Sequence, residues 1–174
     1  MAPGRKLFVA ILMGSDSDLP TLQPALDVLD RFGVDKEVRI TSAHRAPDAT
    51  HAYVKDADQR GCAVFIAAAG MAAHLAGTVA ALTTKPVIGV PVDSGPLSGF
   101  DALLSTVQMP GGIPVACVAI GSAGAKNAGY LAAEILALGD PALATRLKDD
   151  RAESARTIQE KDRSLQKQLS KPSP

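Results

Sequence analysis

The chain has 174 residues, of which 47% are hydrophobic and 21% charged, a composition typical of one globular domain. Its 18 lysines and arginines balance its 18 aspartates and glutamates, which disfavours a nucleic-acid partner or an anionic membrane surface. Aromatic residues make up 3% and tryptophan is absent, so base stacking and a flavin clamped between rings are also disfavoured. Cys62 and Cys117 have no metal-type spacing, and we expect them to be buried, reduced thiols of a cytoplasmic protein.

The beginning of the chain has some features of a secretion signal. Two basic residues, Arg5 and Lys6, precede the apolar run LFVAILM. This run is short, ends in GSDSD and is followed by no small-residue cleavage site, so we interpret it as a buried first strand. No apolar run approaches the roughly 18 residues that a membrane span needs.

Strand and helix patterns then alternate along the chain. In chain order, strands are predicted at 7–14, 34–42, 62–69, 87–92 and 114–120, each followed by a helix, at 15–33, 47–60, 73–84, 99–109 and 123–138. The second strand alternates polar and apolar residues and is predicted to lie nearer an edge. This alternation of elements implies parallel strands joined by right-handed crossovers. We therefore predict an α/β fold: a three-layer αβα sandwich with a doubly wound, flavodoxin-like sheet of order 2-1-3-4-5.

Polar side chains gather where the predicted strands end. The segments GSDSD (14–18), TSAHR (41–45) and GMAAHL (70–75) each follow a different strand. Ligands of open parallel sheets bind beyond these carboxyl ends, so we expect a site there. Helix capping alone would explain one or two of the polar residues in SDSD, and a lone His74 could be structural. Two histidines beside an arginine at one edge favour a functional site, whereas His51 lies in a polar helix and is predicted to be solvated.

Several kinds of site are not indicated. The histidines lack a convergent set of carboxylates or thiolates, so no metal site is predicted. The chain has no Gly-x-Ser-x-Gly elbow, no Walker loop and no Gly-x-Gly-x-x-Gly after the first strand. The chemistry that remains is acid–base catalysis on an anionic small molecule, with Arg45 and the start of the first helix holding a phosphate.

Six ordered motifs resemble those of a known family: MGSDSDLPT, TSAHRAPD, GMAAHLAG, GVPV, LLSTVQMPGGIPVACVAIG and AGAKNAG. They are similar to the PurE family of bacterial N5-carboxyaminoimidazole ribonucleotide mutases over roughly residues 7–139. The resemblance implies a ribonucleotide substrate whose carboxylate moves from the exocyclic nitrogen to C4 of the imidazole ring, in purine biosynthesis. It also implies no cofactor, no metal and a homo-octamer.

The resemblance assigns roles to individual residues. His44 matches the family's catalytic histidine, and His74 matches its second histidine. The matching substrate-binding positions are Ser15, Asp18, Ser42, Arg45, Gly70, Met71 and Leu75. The family commonly has Gly-Gly-Ala-Ala-His-Leu-Pro-Gly in the last of these loops, so Met71 and Ala76 depart from its pattern.

Three alternative functions remain at this point. An aminoimidazole ribonucleotide carboxylase that uses free carbon dioxide is the nearest, but the animal-type carboxylases lack the Ala-Ala-His of this loop. A phosphoacceptor receiver domain shares the predicted fold but needs an aspartate at the end of strand three, where this chain reads AAAGM. A flavodoxin-type electron carrier needs the aromatic rings that this chain lacks.

The segment 140–174 follows the core of 7–139, and we predict that both belong to one domain. Its apolar residues form a narrow helical stripe of Leu143, Leu147, Ile158, Leu165 and Leu169. A solvated helix would explain such a stripe, but we predict that the helix packs on a neighbouring subunit. The last five residues, SKPSP, are predicted to fray.

Overall fold

The computed structural model describes residues 7–170, which fall into one compact unit ending at Leu136 and a second beginning at Ala137. The strands are β1 (Phe8–Met13), β2 (Asp35–Ile40), β3 (Cys62–Gly70), β4 (Val87–Val92) and β5 (Ala116–Cys117). The helices are α1 (Leu19–Arg31), α2 (Pro47–Arg60), α3 (Leu75–Leu82), α4 (Phe100–Val107), α5 (Gly121–Ala137) and α6 (Pro141–Leu169). The predicted fraying of 170–174 falls almost wholly outside the described residues.

The five strands form one parallel sheet of order β2-β1-β3-β4-β5, which confirms the predicted topology. Met13, at the end of β1, pairs with Ile40 of β2 and with Ala68 of β3, and Ala68 pairs with Val90 of β4. The carboxyl ends of four strands therefore lie side by side. From β1 the chain continues to β2 on one side, and from β2 it crosses back past β1 to β3 on the other side. A crevice therefore opens at this edge between β1 and β3.

The continuous apolar runs are buried because helices cover both faces of the sheet. Every residue of β1 and of β4 is buried, and Ile11, Leu12 and Phe65 are among the largest side chains of the core. The edge strand β2 is different, because its last residue, Ile40, remains 60% exposed. This confirms its predicted place near an edge.

Most predicted bounds lie within two residues of those in the structure, but two elements differ by more. The strand predicted at 114–120 pairs with β4 only at Ala116 and Cys117. It lies at the edge of the sheet, where none of the residues 114–120 is fully buried. The helix predicted from residue 15 begins at Leu19. The residues before it form a short 3₁₀ turn, Asp16–Asp18, which Ser15 caps.

The cysteines differ from each other. Cys62 is 1% exposed, and burial raises the pKa of its thiol to about 11, so it is a buried, reduced side chain as predicted. Cys117 is only partly buried, contrary to the prediction, because it lies on the edge strand β5. Burial raises the pKa of its thiol as well. Within residues 7–170, none of the helices combines the length and the apolar character of a membrane span.

The second unit is dominated by α6, which spans 29 residues. The carboxylate of Asp140 caps its start by accepting hydrogen bonds from the N–H groups of Ala142 and Leu143, both at 3.0 Å. Leu143 is buried, whereas Ile158 and Leu169 are 64% and 70% exposed. Most of the predicted apolar stripe is thus open on the isolated chain.

Candidate active site

The segment after β1 forms a compact polar turn. Ser15 accepts a hydrogen bond from the N–H of Ser17 at 3.3 Å, and Asp18 accepts one from the N–H of Ser15 at 3.1 Å. This reciprocal arrangement is a capping box, the usual way for a Ser-x-x-acid sequence to satisfy the free N–H groups at a helix start. The turn therefore presents two hydroxyls, those of Ser15 and Ser17, at the carboxyl end of β1.

Asp18 is the buried member of this turn, with 9% of its surface exposed. Burial raises the pKa of its carboxyl group, and the N–H groups of Ser15 and Gly14 partly offset that effect by stabilising the charged form. One carboxylate oxygen is held by the cap, and the group lines the cavity described below. It can therefore accept hydrogen bonds from a ligand's hydroxyls.

The segment after β2 forms a tight turn that carries a histidine and an arginine. The N–H of Arg45 donates to the hydroxyl of Ser42 at 3.1 Å, and the N–H of Ala46 donates to the carbonyl of Ser42 at 2.9 Å. The guanidinium of Arg45 reaches across to the β1 segment and donates to the carbonyl of Gly14 at 2.9 Å. This bond uses one of the five N–H groups of the guanidinium, so others remain to bind an anion.

The two candidate histidines come from different strand ends and meet. Nε2 of His44 and Nδ1 of His74 are 2.7 Å apart, and the ring centroids lie 4.9 Å apart at an angle of 84°. A hydrogen bond between two imidazoles requires one nitrogen to donate and the other to accept. The intact pair can therefore hold one extra proton, but not two. The bond leaves Nδ1 of His44 and Nε2 of His74 to face a ligand.

The loop between β3 and α3 completes the site. Gly70 lies so close to Ser94 that a Cβ at this position would meet the Ser94 hydroxyl at 1.7 Å. Met71 has a φ of 55°, in the left-handed region where glycine is favoured, and the related motif commonly has glycine at this place. Leu75 begins α3 and is buried. The second departure from the motif, Ala76, is a buried residue of α3 that packs in the core.

These segments line a cavity of about 420 Å³ that is open to solvent. All nine residues singled out from the sequence line it: Ser15, Asp18, Ser42, His44, Arg45, Gly70, Met71, His74 and Leu75. His51 is exposed on α2, as predicted, and is not among the lining residues.

Other lining residues were missed by the sequence analysis, notably Thr41 and Ser94. Thr41 lies near the end of the strand predicted at 34–42, and Ser94 comes two residues after the strand predicted at 87–92, so their position at a strand end was the available signal. Among residues 7–170, no group of three or more His, Cys, Asp or Glu side chains converges as metal ligands.

The crevice can transfer a proton and hold an anion, and it has room for a small molecule. The histidine pair can take up and return one proton. Arg45, the hydroxyls of Ser15 and Ser17 and a helix start can hold an anion. The volume lies within the range typical of small-molecule sites.

Comparison with known proteins gives a consistent result. The AIR carboxylase family model matches residues 8–157. The N5-carboxyaminoimidazole ribonucleotide mutase of Thermotoga maritima is 52% identical over 158 residues, which cover 91% of both proteins. That of Bacillus subtilis is 53% identical over 152 residues, which cover 87% of this chain and 94% of the relative.

A crystal structure of Treponema denticola PurE superposes with a TM-score of 0.82 at 32% identity, covering 91% of this chain and 98% of that one. The resemblance found in the motifs is thereby confirmed over most of the chain. This chain belongs to the AIR carboxylase family.

Proposed function

We propose that this protein converts N5-carboxyaminoimidazole ribonucleotide to 4-carboxy-5-aminoimidazole ribonucleotide in de novo purine (IMP) biosynthesis. The observation that carries this proposal is the pair formed by His44 and His74, 2.7 Å apart beside an arginine in an open cavity. The names of relatives more than 50% identical to this chain support the same reaction.

The substrate phosphate would bind between Arg45 and the start of the polar turn. Ser15 and Ser42 offer hydroxyls there, and the guanidinium of Arg45 already bridges to the carbonyl of Gly14 at 2.9 Å. Asp18 would accept hydrogen bonds from ribose hydroxyls. The backbone of Gly70 and Met71, together with the side chain of Leu75, would form the wall against the imidazole ring.

The chemistry requires one proton to be given and one to be taken. The carbamate on the exocyclic nitrogen loses carbon dioxide, and that nitrogen gains a proton from His44. C4 of the ring then attacks the trapped carbon dioxide, and His44 removes the C4 proton, so that the histidine returns to its starting state. His74, bonded to Nε2 of His44, would orient the ring and share the proton.

We propose that neither a cofactor nor a metal takes part. The reaction moves a carboxylate within one molecule without a net redox change, and a histidine pair suffices for its proton transfers. The resemblance to the family implies the same.

We further propose a cytoplasmic homo-octamer in which each chain is one functional domain. Apolar side chains exposed on α4, namely Phe100, Leu104 and Val107, are 64%, 57% and 47% exposed. Those on α6, described above, are exposed to a similar extent. Exposed apolar side chains at successive turns of one helix are typical of subunit interfaces.

The mutase and the carboxylase that uses free carbon dioxide can be separated directly. The purified enzyme is given N5-carboxyaminoimidazole ribonucleotide while an independent trap removes free carbon dioxide, and the 4-carboxy product is measured. His44→Asn protein serves as the background for uncatalysed recarboxylation. Product formed despite the trap supports the mutase. Loss of product that is restored by added bicarbonate would establish the carboxylase instead.

A further inference from the structure

A buried hydroxyl lies beneath the turn that carries His44 and Arg45. Thr50, in the first turns of α2, is 0% exposed, and its hydroxyl donates to the carbonyl of Ala46 at 3.1 Å. The same oxygen lies 2.6 Å from the hydroxyl oxygen of Thr41, which is 8% exposed.

The direction of these bonds follows from counting protons. A hydroxyl has one proton to donate and can accept at its lone pairs. Because Thr50 donates to Ala46, the proton between the two threonines must come from Thr41. One oxygen atom thus accepts from the residue before the Ser42–Arg45 turn and donates to the residue after it, and so holds both ends of the turn.

The turn has reason to need such support. Ala46, at the start of α2, offers no side-chain cap, and the next residue is Pro47, which has no N–H. His44 and Arg45 are both exposed, and their side chains reach His74 and Gly14 in other segments. A valine of the same shape would fill the space of Thr50 without placing a polar group in the core. The hydroxyl is therefore explained by the turn rather than by packing.

We propose that Thr50 is a positioning residue, which acts through Thr41 and Ala46 to hold His44 and Arg45 in their positions at the cavity. This role rests on the proposed function, since it is the proton transfer at His44 and the anion contact at Arg45 that require fixed positions. Small displacements of catalytic groups cost large factors in rate.

Three variants test the proposal. Thr50→Val removes the hydroxyl, and Thr50→Ser restores it. Thr106→Val is the matched control, because Thr106 is 2% exposed and its hydroxyl donates to the carbonyl of Ala102, four residues earlier in α4, at 2.7 Å. Thr106 does not line the cavity. For each folded variant, kcat, KM, thermal stability and the imidazole nitrogen NMR signals of His44 are measured.

We expect Thr50→Val to lower kcat about tenfold and to shift the His44 signals. Thr50→Ser should keep kcat within about twofold of the original protein, and Thr106→Val should leave kcat and the His44 signals unchanged, whatever its thermal stability. A folded Thr50→Val protein with normal kcat and normal His44 signals would overturn the proposal. Equal loss of turnover in Thr50→Val and Thr106→Val would do the same, since it would indicate a general effect of stability. If the unmodified protein shows no mutase activity, the proposed reaction fails, while the His44 signals still test the positioning role.

Discussion

Substituting Gly70 by alanine should destabilise the fold at the wall of the cavity. Gly70 ends β3 and pairs with Val92 of β4. A Cβ at Gly70 would lie 1.7 Å from the hydroxyl oxygen of Ser94, 3.1 Å from its Cβ and 3.4 Å from the carbonyl oxygen of Val92. The hydroxyl of Ser94 would have to move by about 1.3 Å (3.0 minus 1.7 Å) merely to reach the 3.0 Å below which real Cβ contacts essentially never occur.

The cost can be bounded from these contacts. Ser94 is exposed and its hydroxyl can rotate away, but its Cβ would remain tighter than an ordinary contact. Overpacking of this kind costs about 1–3 kcal/mol in the free energy of unfolding. The double variant Gly70→Ala/Ser94→Ala removes the 1.7 Å contact and keeps the one at 3.1 Å, so it should recover part of the loss.

Urea unfolding measures these free energies. Gly111→Ala is the matched control, because a Cβ at Gly111 would meet nothing within 4 Å, and this variant should equal the original protein or slightly exceed it in stability. If Gly70→Ala were as stable as Gly111→Ala, the close approach of the β3–α3 loop to Ser94 would be refuted. If the double variant were no more stable than Gly70→Ala alone, Ser94 would not be the cause.

Three further predictions concern the ligand and the assembly. Arg45→Ala should weaken ribonucleotide binding by about 10- to 100-fold in calorimetry, through loss of a charge-assisted contact of about 1.5–3 kcal/mol, and Ser15→Ala should do less; normal binding by Arg45→Ala would exclude the phosphate role. Burial raises the pKa of Asp18, so the folded state disfavours its ionised form, and its contribution to stability falls as pH rises from the unfolded-state pKa to the folded-state pKa. Asp18→Asn should bind ribonucleotide more weakly. The thermal stability of this variant relative to the original protein should be greater at pH 7 than at pH 3, and an equal difference at both pH values would contradict the burial effect. Deleting residues 142–174 should lower the assembly mass in light scattering, and an unchanged mass would reject a role of α6 in assembly.

The fold could be predicted from the sequence because the inner strands β1, β3 and β4 are covered on both faces. A buried parallel strand reads as a continuous apolar run, and β4 was predicted with the same bounds, Val87–Val92, that the structure has. The same rule failed at 114–120, where no residue is fully buried and only Ala116 and Cys117 pair with β4. An apolar run does not by itself distinguish a fully paired strand from an extended edge segment that pairs at only two residues.

The site was accessible in part for a related reason. The carboxyl ends of parallel strands share one edge, so the histidines after β2 and β3 could be placed at the same edge from order alone. Their direct hydrogen bond could not be predicted, because it depends on side-chain directions at two loops. The buried contact of Thr41 with Thr50 could not be predicted for the same reason, since Thr41 follows β2 and Thr50 lies nine positions later in α2.

The most direct test of the proposed mechanism is the turnover of His44→Asn protein. Asparagine keeps approximate size and some hydrogen bonding but cannot transfer the proton. The variant should fold, assemble and bind ribonucleotide as the original protein does, while kcat falls by at least about 100-fold, the lower range for general acid–base catalysis. His74→Asn should lower kcat by less, because His74 is bonded to Nε2 of His44 and so orients the reacting histidine. Substantial turnover by a well-folded His44→Asn protein would contradict the assignment of His44 as the acid–base group.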